Sequence, residues 1–248
     1  MPNYISTGIP GVDELLEGRG IPEGHIVFLL GSPGSGKTTF ALQMLYKGAT
    51  EYNEPGVFIT LDESPRRILD NASSFTWNLR ELKDEGKILF IDASPIKGLK
   101  GLGTSQDKNI AIGKKDFSLD TLVDMIETSV KEIGAKRLVV DPLASLMLEY
   151  PKVVDRRKAI LELMEAISRT NCTALLVSEL AHASLERKYQ IEEYLAQGVM
   201  VLQRVVRSEG LNRIFQVEKM RGINHDSELH PYKINKDGIN IFARERIV

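Results

Sequence analysis

Short apolar runs rich in β-branched residues recur along the chain and alternate with longer amphipathic segments. They occupy residues 26–30, 57–61, 88–91, 138–140 and 174–177. Apolar runs of this length between helical patterns are typical of strands that are buried on both faces of a parallel sheet. The alternation of strand and helix therefore predicts an α/β fold, in which a mostly parallel central sheet is flanked by helices.

Two of the amphipathic segments place their apolar residues on a single helical face. These faces consist of Leu119, Leu122, Val123, Ile126, Val130 and Ile133, and of Ile160, Leu163, Met164 and Ile167. Ser118 is the expected cap of the first helix. Ser64 followed by Pro65 predicts a further helix start, because proline is favoured at the first helical position.

After Gly198 the pattern changes to alternating segments separated by turns, which predicts antiparallel hairpins. The segments cover residues 199–205, 213–219, 232–235 and 239–242, with turns at Glu209-Gly210 and Asp237-Gly238. Residues 98–113 contain several glycines and no periodicity, so residues 97–116 are interpreted as a functional or mobile loop. Because a chain of this length commonly forms one α/β domain, residues 1–248 are interpreted as a single domain.

The composition is that of a globular protein in a reducing compartment. Apolar residues make up 42% of the chain and charged residues 27%, which excludes a fibrous or disordered chain. The longest apolar runs have about five residues, too short to cross a membrane, and the N-terminal residues do not form a signal leader. The single cysteine, Cys172, has no partner for an internal disulfide. We therefore expect a cytoplasmic protein without a membrane partner.

A net charge of −2 provides no general attraction to nucleic acid. One local cluster of cations stands within the predicted loop: Lys97, Lys100, Lys108, Lys114 and Lys115. We interpret this cluster as a solvated loop, with a local binding patch as the alternative. Nucleic acid is therefore not a favoured partner.

The segment that follows the first strand matches the phosphate-binding pattern G-x-x-x-x-G-K-[ST] and directly precedes a helical pattern. The expected nucleotide contacts are Gly31, Ser32, Pro33, Gly34, Ser35, Gly36, Lys37, Thr38 and Thr39. The glycines allow backbone N–H groups to converge on phosphate oxygens, and the helix N-terminus adds a positive partial charge. Lys37 is expected to contact the β and γ phosphates. The Thr38 hydroxyl is the expected magnesium ligand, in preference to Thr39.

An aspartate at the end of a neighbouring strand is the expected second metal ligand. Asp141 follows the apolar residues 138–140 directly, and a P-loop requires such an acid to hold the metal. The alternative is a turn residue that precedes Pro142. We favour the metal role for Asp141.

Hydrolysis also needs a carboxylate that orients the attacking water. Asp62 and Glu63 follow the strand at 57–61 and precede the helix start at Ser64, so both acids are expected at the carboxyl edge of the sheet. Glu63 is the favoured catalytic residue because its longer side chain suits a water beyond the γ phosphate. The alternative is that Asp62 and Glu63 only complement the helix N-terminus.

The guanine-reading pattern N-K-x-D is absent from the chain. Asn235-Lys236-Asp237-Gly238 lacks its final aspartate, and the composition of a hairpin turn explains these residues. ATP is therefore the expected nucleotide.

Several motifs together resemble the KaiC family, whose members belong to the RecA superfamily of P-loop ATPases. The resemblance covers nearly the whole chain and implies a RecA-like P-loop fold. Its motifs are Ser6-Thr7-Gly8-Ile9-Pro10-Gly11-Val12-Asp13, the P-loop, Leu61-Asp62-Glu63-Ser64-Pro65, Asp92-Ala93-Ser94-Pro95, Glu218-Lys219-Met220-Arg221-Gly222, His225, Pro231-Tyr232-Lys233-Ile234 and Gly238-Ile239-Asn240-Ile241-Phe242.

The resemblance implies a homo-oligomeric ring, commonly a hexamer, with ATP between neighbouring subunits. It also implies that Lys219 and Arg221 act in trans on the γ phosphate in the next subunit. Two cations at alternate strand positions share one face, so together they can stabilise charge on phosphate oxygens. An exposed charged hairpin is the alternative interpretation of these residues.

One feature departs from the family pattern. In the circadian-clock ATPase of the KaiC family, the autokinase half carries adjacent serine and threonine residues where this chain has Glu193-Tyr194-Leu195-Ala196, so autokinase activity is not expected. Ser178-Glu179 resembles the position at which RecA-like ATPases sense the γ phosphate, and it could equally cap the next helix.

The histidines show no metal-ligand spacing with cysteine. Phe75 and Trp77 are expected to pack a helix rather than stack on bases.

Three functions are compatible with these patterns. The favoured one is a ring ATPase in regulation or signalling, with an unidentified protein partner as a further possibility. The second is a DNA-handling recombinase relative, which the near-neutral charge disfavours. The third is a scaffold that binds ATP but does not hydrolyse it, in which Asp62 and Glu63 are structural.

Overall fold

The computed structural model describes residues 3–94, 118–180, 191–207 and 210–247. Within these ranges nine strands form one sheet in the order β11-β10-β9-β8-β3-β7-β6-β4-β5, and β1 pairs with β2 separately. The strands are β1 Tyr4–Ile5, β2 Ile21–Pro22, β3 Ile26–Gly31, β4 Gly56–Thr60, β5 Ile88–Asp92, β6 Arg137–Asp141, β7 Thr173–Glu179, β8 Gly198–Arg207, β9 Gly210–Met220, β10 His230–Asn235 and β11 Gly238–Ile241. The helices are α1 Val12–Leu15, α2 Lys37–Glu51, α3 Pro65–Ala72, α4 Leu79–Asp84, α5 Leu119–Ile133, α6 Leu143–Leu148, α7 Val153–Arg169 and α8 Ile191–Leu195.

The sheet is parallel from β8 to β5 and antiparallel from β8 to β11. This arrangement confirms the predicted α/β class with C-terminal antiparallel hairpins. It departs from the sequence interpretation at β8, which was expected only as one arm of a hairpin. β8 pairs with β9 on one edge and runs parallel to β3 on the other, so the hairpin region continues the central sheet.

Two predicted helix caps are confirmed. The Ser118 hydroxyl accepts a hydrogen bond from the backbone N–H of Thr121 at 3.2 Å, and α5 begins at the next residue. The Ser64 hydroxyl accepts from the N–H of Arg67 at 3.5 Å, with Pro65 as the first helical residue. The predicted loop at 97–116 lies outside the described residues, as do Pro95, His182 and Glu209.

Both faces of the parallel sheet are buried under helices. Alternate residues of β3 point to opposite sides: Val27 and Leu29 pack with α2, whereas Phe28 and Leu30 pack with α5, α6 and α7. This two-sided burial explains why the parallel strands have continuous apolar sequences rather than alternating ones. None of the helices in the described part of the chain is long and apolar enough to cross a membrane.

The N-terminal motif of residues 6–13 is a folded turn that docks on the last strand. The Asp13 carboxylate accepts hydrogen bonds from the backbone N–H and the hydroxyl of Thr7, at 2.9 and 2.7 Å. Gly11 has φ 86°, and a Cβ there would lie 2.1 Å from the Ile241 carbonyl oxygen. The motif therefore needs glycine at position 11 to approach β11, and it packs against this last strand of the C-terminal hairpin.

A fully buried arginine ties α2 to the start of β6. The Arg137 Nε donates to Glu54 Oε2 at 2.8 Å, and Nη1 donates to the Met44 carbonyl at 2.8 Å. Any Cβ at Gly48 would lie 2.3 Å from Nε, so this glycine inside α2 makes room for the guanidinium. A buried guanidinium is tolerated only when it is paired.

Replacement of Glu54 by glutamine is expected to lower the free energy of unfolding by about 2 kcal/mol, because it leaves a buried guanidinium without its counter-charge. Urea unfolding followed by circular dichroism measures the change. Glu51→Gln is the matched control: its ion pair with Lys47 is solvent-exposed, so a change below about 0.5 kcal/mol is expected. Equal effects of the two substitutions would contradict the structural role of Arg137.

Candidate nucleotide-binding site

The P-loop turns from the end of β3 into the start of α2. Gly34 and Gly36 have φ values of 72° and 96°, a left-handed conformation that favours glycine. A Cβ at Gly36 would also lie 2.6 Å from Ile234 Cδ1 on β10. The Tyr232 hydroxyl donates to the Ser35 carbonyl at 2.5 Å. The C-terminal hairpin therefore holds the loop in this glycine-dependent conformation.

Lys37, the first residue of α2, folds back over the loop. Its Nζ donates to the carbonyl oxygens of Gly31 at 2.9 Å and Ser32 at 3.3 Å. Burial lowers the pKa of Lys37, whereas the nearby carboxylates of Glu179 and Asp141 act in the opposite direction. The ammonium group thus lies beside the loop, as a phosphate-contacting lysine must.

Thr38 and Asp141 meet across the cleft. Parallel pairing of β4 and β6 places Asp141 opposite Thr60 at the carboxyl edge of the sheet. The Thr38 hydroxyl donates to Asp141 Oδ2 at 2.7 Å. Burial raises the pKa of Asp141 to about 6, and the hydrogen bond from Thr38 and the charge of Lys37 only partly oppose this effect. The negative charges of Glu63 and Asp62 in the same cleft raise the pKa of Asp141 further.

Asp62 and Glu63 lie in the connection between β4 and α3. Asp62 is exposed and Glu63 is half-buried. The Thr60 hydroxyl donates to the Glu63 carbonyl at 2.7 Å, and Asn71 Nδ2 donates to Glu63 Oε2 at 3.4 Å. Both acids line the same cleft as Asp141.

These elements enclose an open cleft of about 540 Å³, within the range of ligand sites. Phosphate-binding residues, acidic residues and apolar side chains all line it. The polar lining includes Lys37, Thr38, Thr39, Thr60, Asp62, Glu63, Asn71, Asp141 and Glu179, and the apolar lining includes Leu42, Ile68, Ala72 and Phe75. Phe75 also stacks on Trp77 with ring centroids 4.4 Å apart, and both aromatics pack in the apolar cluster that includes residues of α3.

The residues present fit a magnesium nucleotide. Ser32 Oγ and Ser35 Oγ are buried in the loop and have no hydrogen-bond partner in the described part of the chain, which leaves polar capacity for a ligand. Thr38 and Asp141 supply hydroxyl and carboxylate oxygens, the hard donors that magnesium prefers. The chemistry of this donor set therefore matches the metal expected from the sequence.

Lys219 and Arg221 do not join the cleft of their own chain. Lys219 lies opposite Val199, which pairs with Phe28 near the beginning of β3, whereas the P-loop follows its end. The Lys219 Nζ donates to the carbonyl oxygens of Glu193 at 3.0 Å and Tyr194 at 3.3 Å, and the Arg221 guanidinium also donates to Tyr194. Burial lowers the pKa of Lys219, and the charge of Arg221 lowers it further. The two cations therefore cluster beside α8, toward the amino ends of the parallel strands, whereas the P-loop lies at their carboxyl ends.

Sequence reasoning missed Thr60 and Asn71. Thr60 is the one polar residue within β4, at its last position, and it is buried, which was a usable signal for a hydrogen-bonding role. Asn71 carried no such signal, because an isolated asparagine in a polar helix is ordinary. Of the two alternatives for Ser178-Glu179, the cleft position applies to Glu179, since it lines the cleft and its charge acts on Lys37.

Comparison with known proteins gives a consistent match over nearly the full chain. The family model described as "ATPase: KaiC" matches residues 5–246. A UPF0273 protein of Methanocaldococcus jannaschii is 34% identical over 96% of both chains. The circadian clock oscillator protein KaiC of Picosynechococcus is 33% identical over 96% of this chain, which spans 44% of that relative. The crystal structure of a KaiC-like protein from Pyrococcus horikoshii is 36% identical, with a TM-score of 0.81 over 98% of this chain and 100% of that one.

The raised pKa of Asp141 predicts a pH-dependent cost to stability in metal-free protein. Between about pH 4 and pH 6 the folded chain retains a proton that the unfolded chain releases, so stability falls as the pH rises through this window. Asp141→Asn is expected to be more stable than the wild type by up to about 3 kcal/mol at pH 7.5. The difference should fall below about 1 kcal/mol near pH 4, where the folded wild type is protonated and the unfolded chain is about half protonated.

Urea unfolding in EDTA at the two pH values measures this difference. Asparagine keeps an oxygen for the Thr38 hydroxyl, so the substitution removes charge with little loss of contact. A stability difference of the same size at both pH values would show that the carboxylate of Asp141 is not the cause.

Proposed function

The chain belongs to the KaiC family of ATPases, and we propose that it binds ATP with magnesium, hydrolyses the terminal phosphoanhydride bond and works as a cytoplasmic ring of identical subunits in regulation or signalling. Residues 1–248 would form one ATPase domain, and a hexamer is the expected ring. The observation that carries the proposal is the convergence of Lys37, the Thr38–Asp141 pair and Glu63 on a single cleft.

Nucleotide binding rests on the P-loop residues 31–38 and on Thr39. Backbone N–H groups and Lys37 would hold the β and γ phosphates, and the apolar lining of Leu42, Ile68 and Ala72 suits a base. Thr38 and Asp141 would hold the magnesium ion, which supplies positive charge that neutralises the phosphate oxygens. This neutralisation matters here because Asp62, Glu63, Asp141 and Glu179 also line the cleft.

Hydrolysis rests on Glu63, with Asp62 beside it. The Glu63 carboxylate would accept a hydrogen bond from the attacking water and take its proton as the new bond between oxygen and the γ phosphorus forms. The bond between the γ phosphorus and the bridging oxygen breaks, and ADP leaves with the electron pair. The absence of an adjacent serine and threonine pair at Glu193-Tyr194 favours hydrolysis over autophosphorylation.

In the proposed ring, the neighbouring subunit would bring further cations to the site. Among the described residues that line the cleft, Lys37 is the only cation, set against four acids. Charge on the transferred phosphoryl oxygens therefore calls for further cations. Lys219 and Arg221 lie away from their own P-loop, at the other edge of the sheet, and they would complete the site of the next subunit in a head-to-tail ring.

Substitution of Glu63 by glutamine is expected to leave ATP binding and assembly intact and to lower turnover about 100-fold or more, because glutamine cannot accept the proton. Phosphate release at several protein concentrations, with light scattering on the same samples, measures both properties. Lys37→Ala is the companion variant and should lose ATP binding. Unchanged turnover in Glu63→Gln would instead identify an ATP-binding scaffold or a different base.

Arg221→Ala is expected to lower turnover about 100-fold or more while its own P-loop still binds ATP. An equal mixture with Glu63→Gln should recover about a quarter of wild-type activity, since one in four interfaces then combines an intact Glu63 with an intact Arg221 from its neighbour. Lys233→Ala, which changes a cation stacked on Phe242, is the control and should keep full activity. A mixture no more active than its components would rule out action in trans.

A further inference from the structure

The main chain at Glu63 is fixed by its neighbours, but its side chain is not. Thr60 is buried at the end of β4, and its hydroxyl donates to the Glu63 carbonyl at 2.7 Å and accepts from the Asp62 N–H at 3.4 Å. Ser64 then caps α3. These contacts leave only the side-chain torsions of Glu63 free, and a glutamate side chain loses substantial rotamer entropy when it is held in one position.

Asn71 restrains those torsions. It lies in the last turn of α3 and lines the cleft. Its Nδ2 donates a hydrogen bond to Glu63 Oε2 at 3.4 Å. Among the described residues, Asn71 is the one that donates a hydrogen bond to this carboxylate. An amide is suited to this task because it donates a hydrogen bond without titrating and without adding charge to an already acidic cleft. With Oε2 bound to Asn71, Oε1 remains available to a water molecule.

We propose that Asn71 is a positioning residue for hydrolysis, which holds the Glu63 carboxylate in the orientation that activates water. This inference rests on the proposed role of Glu63 and deepens it. Because a general base must lie within hydrogen-bonding distance of the proton that it takes, a carboxylate that samples several rotamers is productive for only part of the time. Asn71 raises that fraction through its hydrogen bond to the Glu63 carboxylate.

A merely structural role for Asn71 would make the alanine variant less stable, and the position of Asn71 predicts no such loss. Asn71 is an exposed residue within a helix, where alanine has the higher helix propensity. The substitution Asn71→Ala should therefore leave the melting temperature unchanged or raise it slightly. A loss of activity in this variant cannot then be attributed to loss of the fold.

The test is steady-state ATP hydrolysis with magnesium, together with ATP binding and thermal unfolding, on the full chain. Asn71→Ala is expected to lower kcat about tenfold while KM and the dissociation constant for ATP stay within about twofold. Asn71→Gln retains the amide donor and should recover part of the loss. Asn71→Asp replaces the donor by a second carboxylate and should fall below the alanine variant.

Ser73→Ala is the matched control. Ser73 caps the C-terminus of the same helix, and its hydroxyl donates to the Asp70 carbonyl rather than to any residue of the cleft. Its kcat should equal that of the wild type. A kcat in Asn71→Ala within twofold of the wild type, or equal losses in the alanine and glutamine variants, would overturn the positioning role. A wild-type protein that binds ATP without hydrolysing it would overturn the proposed function itself, and the role of Asn71 with it.

Discussion

The parallel register of four neighbouring strands is the constraint on which the candidate site depends. β3, β7, β6 and β4 end at one edge of the sheet, and their pairing places Gly31 opposite Glu179 and Thr60 opposite Asp141. Each strand is held in register because both of its faces are buried, so a shift by one residue would move every side chain to the other core. The distances between Lys37, Thr38, Asp141 and Glu63 are therefore consequences of core packing, and no contact among these polar residues is needed to assemble them.

The same geometry creates an electrostatic imbalance. The cleft gathers four carboxylates around one lysine, and burial already raises the pKa of Asp141 to about 6. Such an arrangement costs free energy in the empty protein, and a cation held in the cleft would recover part of that cost. The cleft thus resembles functional sites in which a carboxyl group with a strongly shifted pKa marks the place where a ligand supplies the missing charge.

Sequence patterns predicted those parts of the structure that depend on local order. The apolar runs predicted the parallel strands, and the spacing of glycines and Lys37 between strand and helix predicted the phosphate loop. Pairing between distant segments was less accessible: the parallel contact between β8 and β3 joins residues about 170 positions apart, which no local pattern encodes. Asn71 escaped notice because its importance depends on the fold of the connection at Glu63. Lys219 and Arg221 were singled out by resemblance alone, and the structure gives them a location away from their own P-loop.

The contact between Tyr232 and the P-loop has a consequence for the order of folding. The Tyr232 hydroxyl and the Ser35 carbonyl are 197 residues apart in sequence, and Ile234 closes over Gly36 from the same hairpin. A growing polypeptide therefore cannot complete its phosphate cradle until the penultimate strand has been synthesised and has docked, since non-local contacts form late. Nucleotide affinity should therefore depend on a completely folded sheet, because an incompletely folded chain lacks the hairpin that shapes the loop.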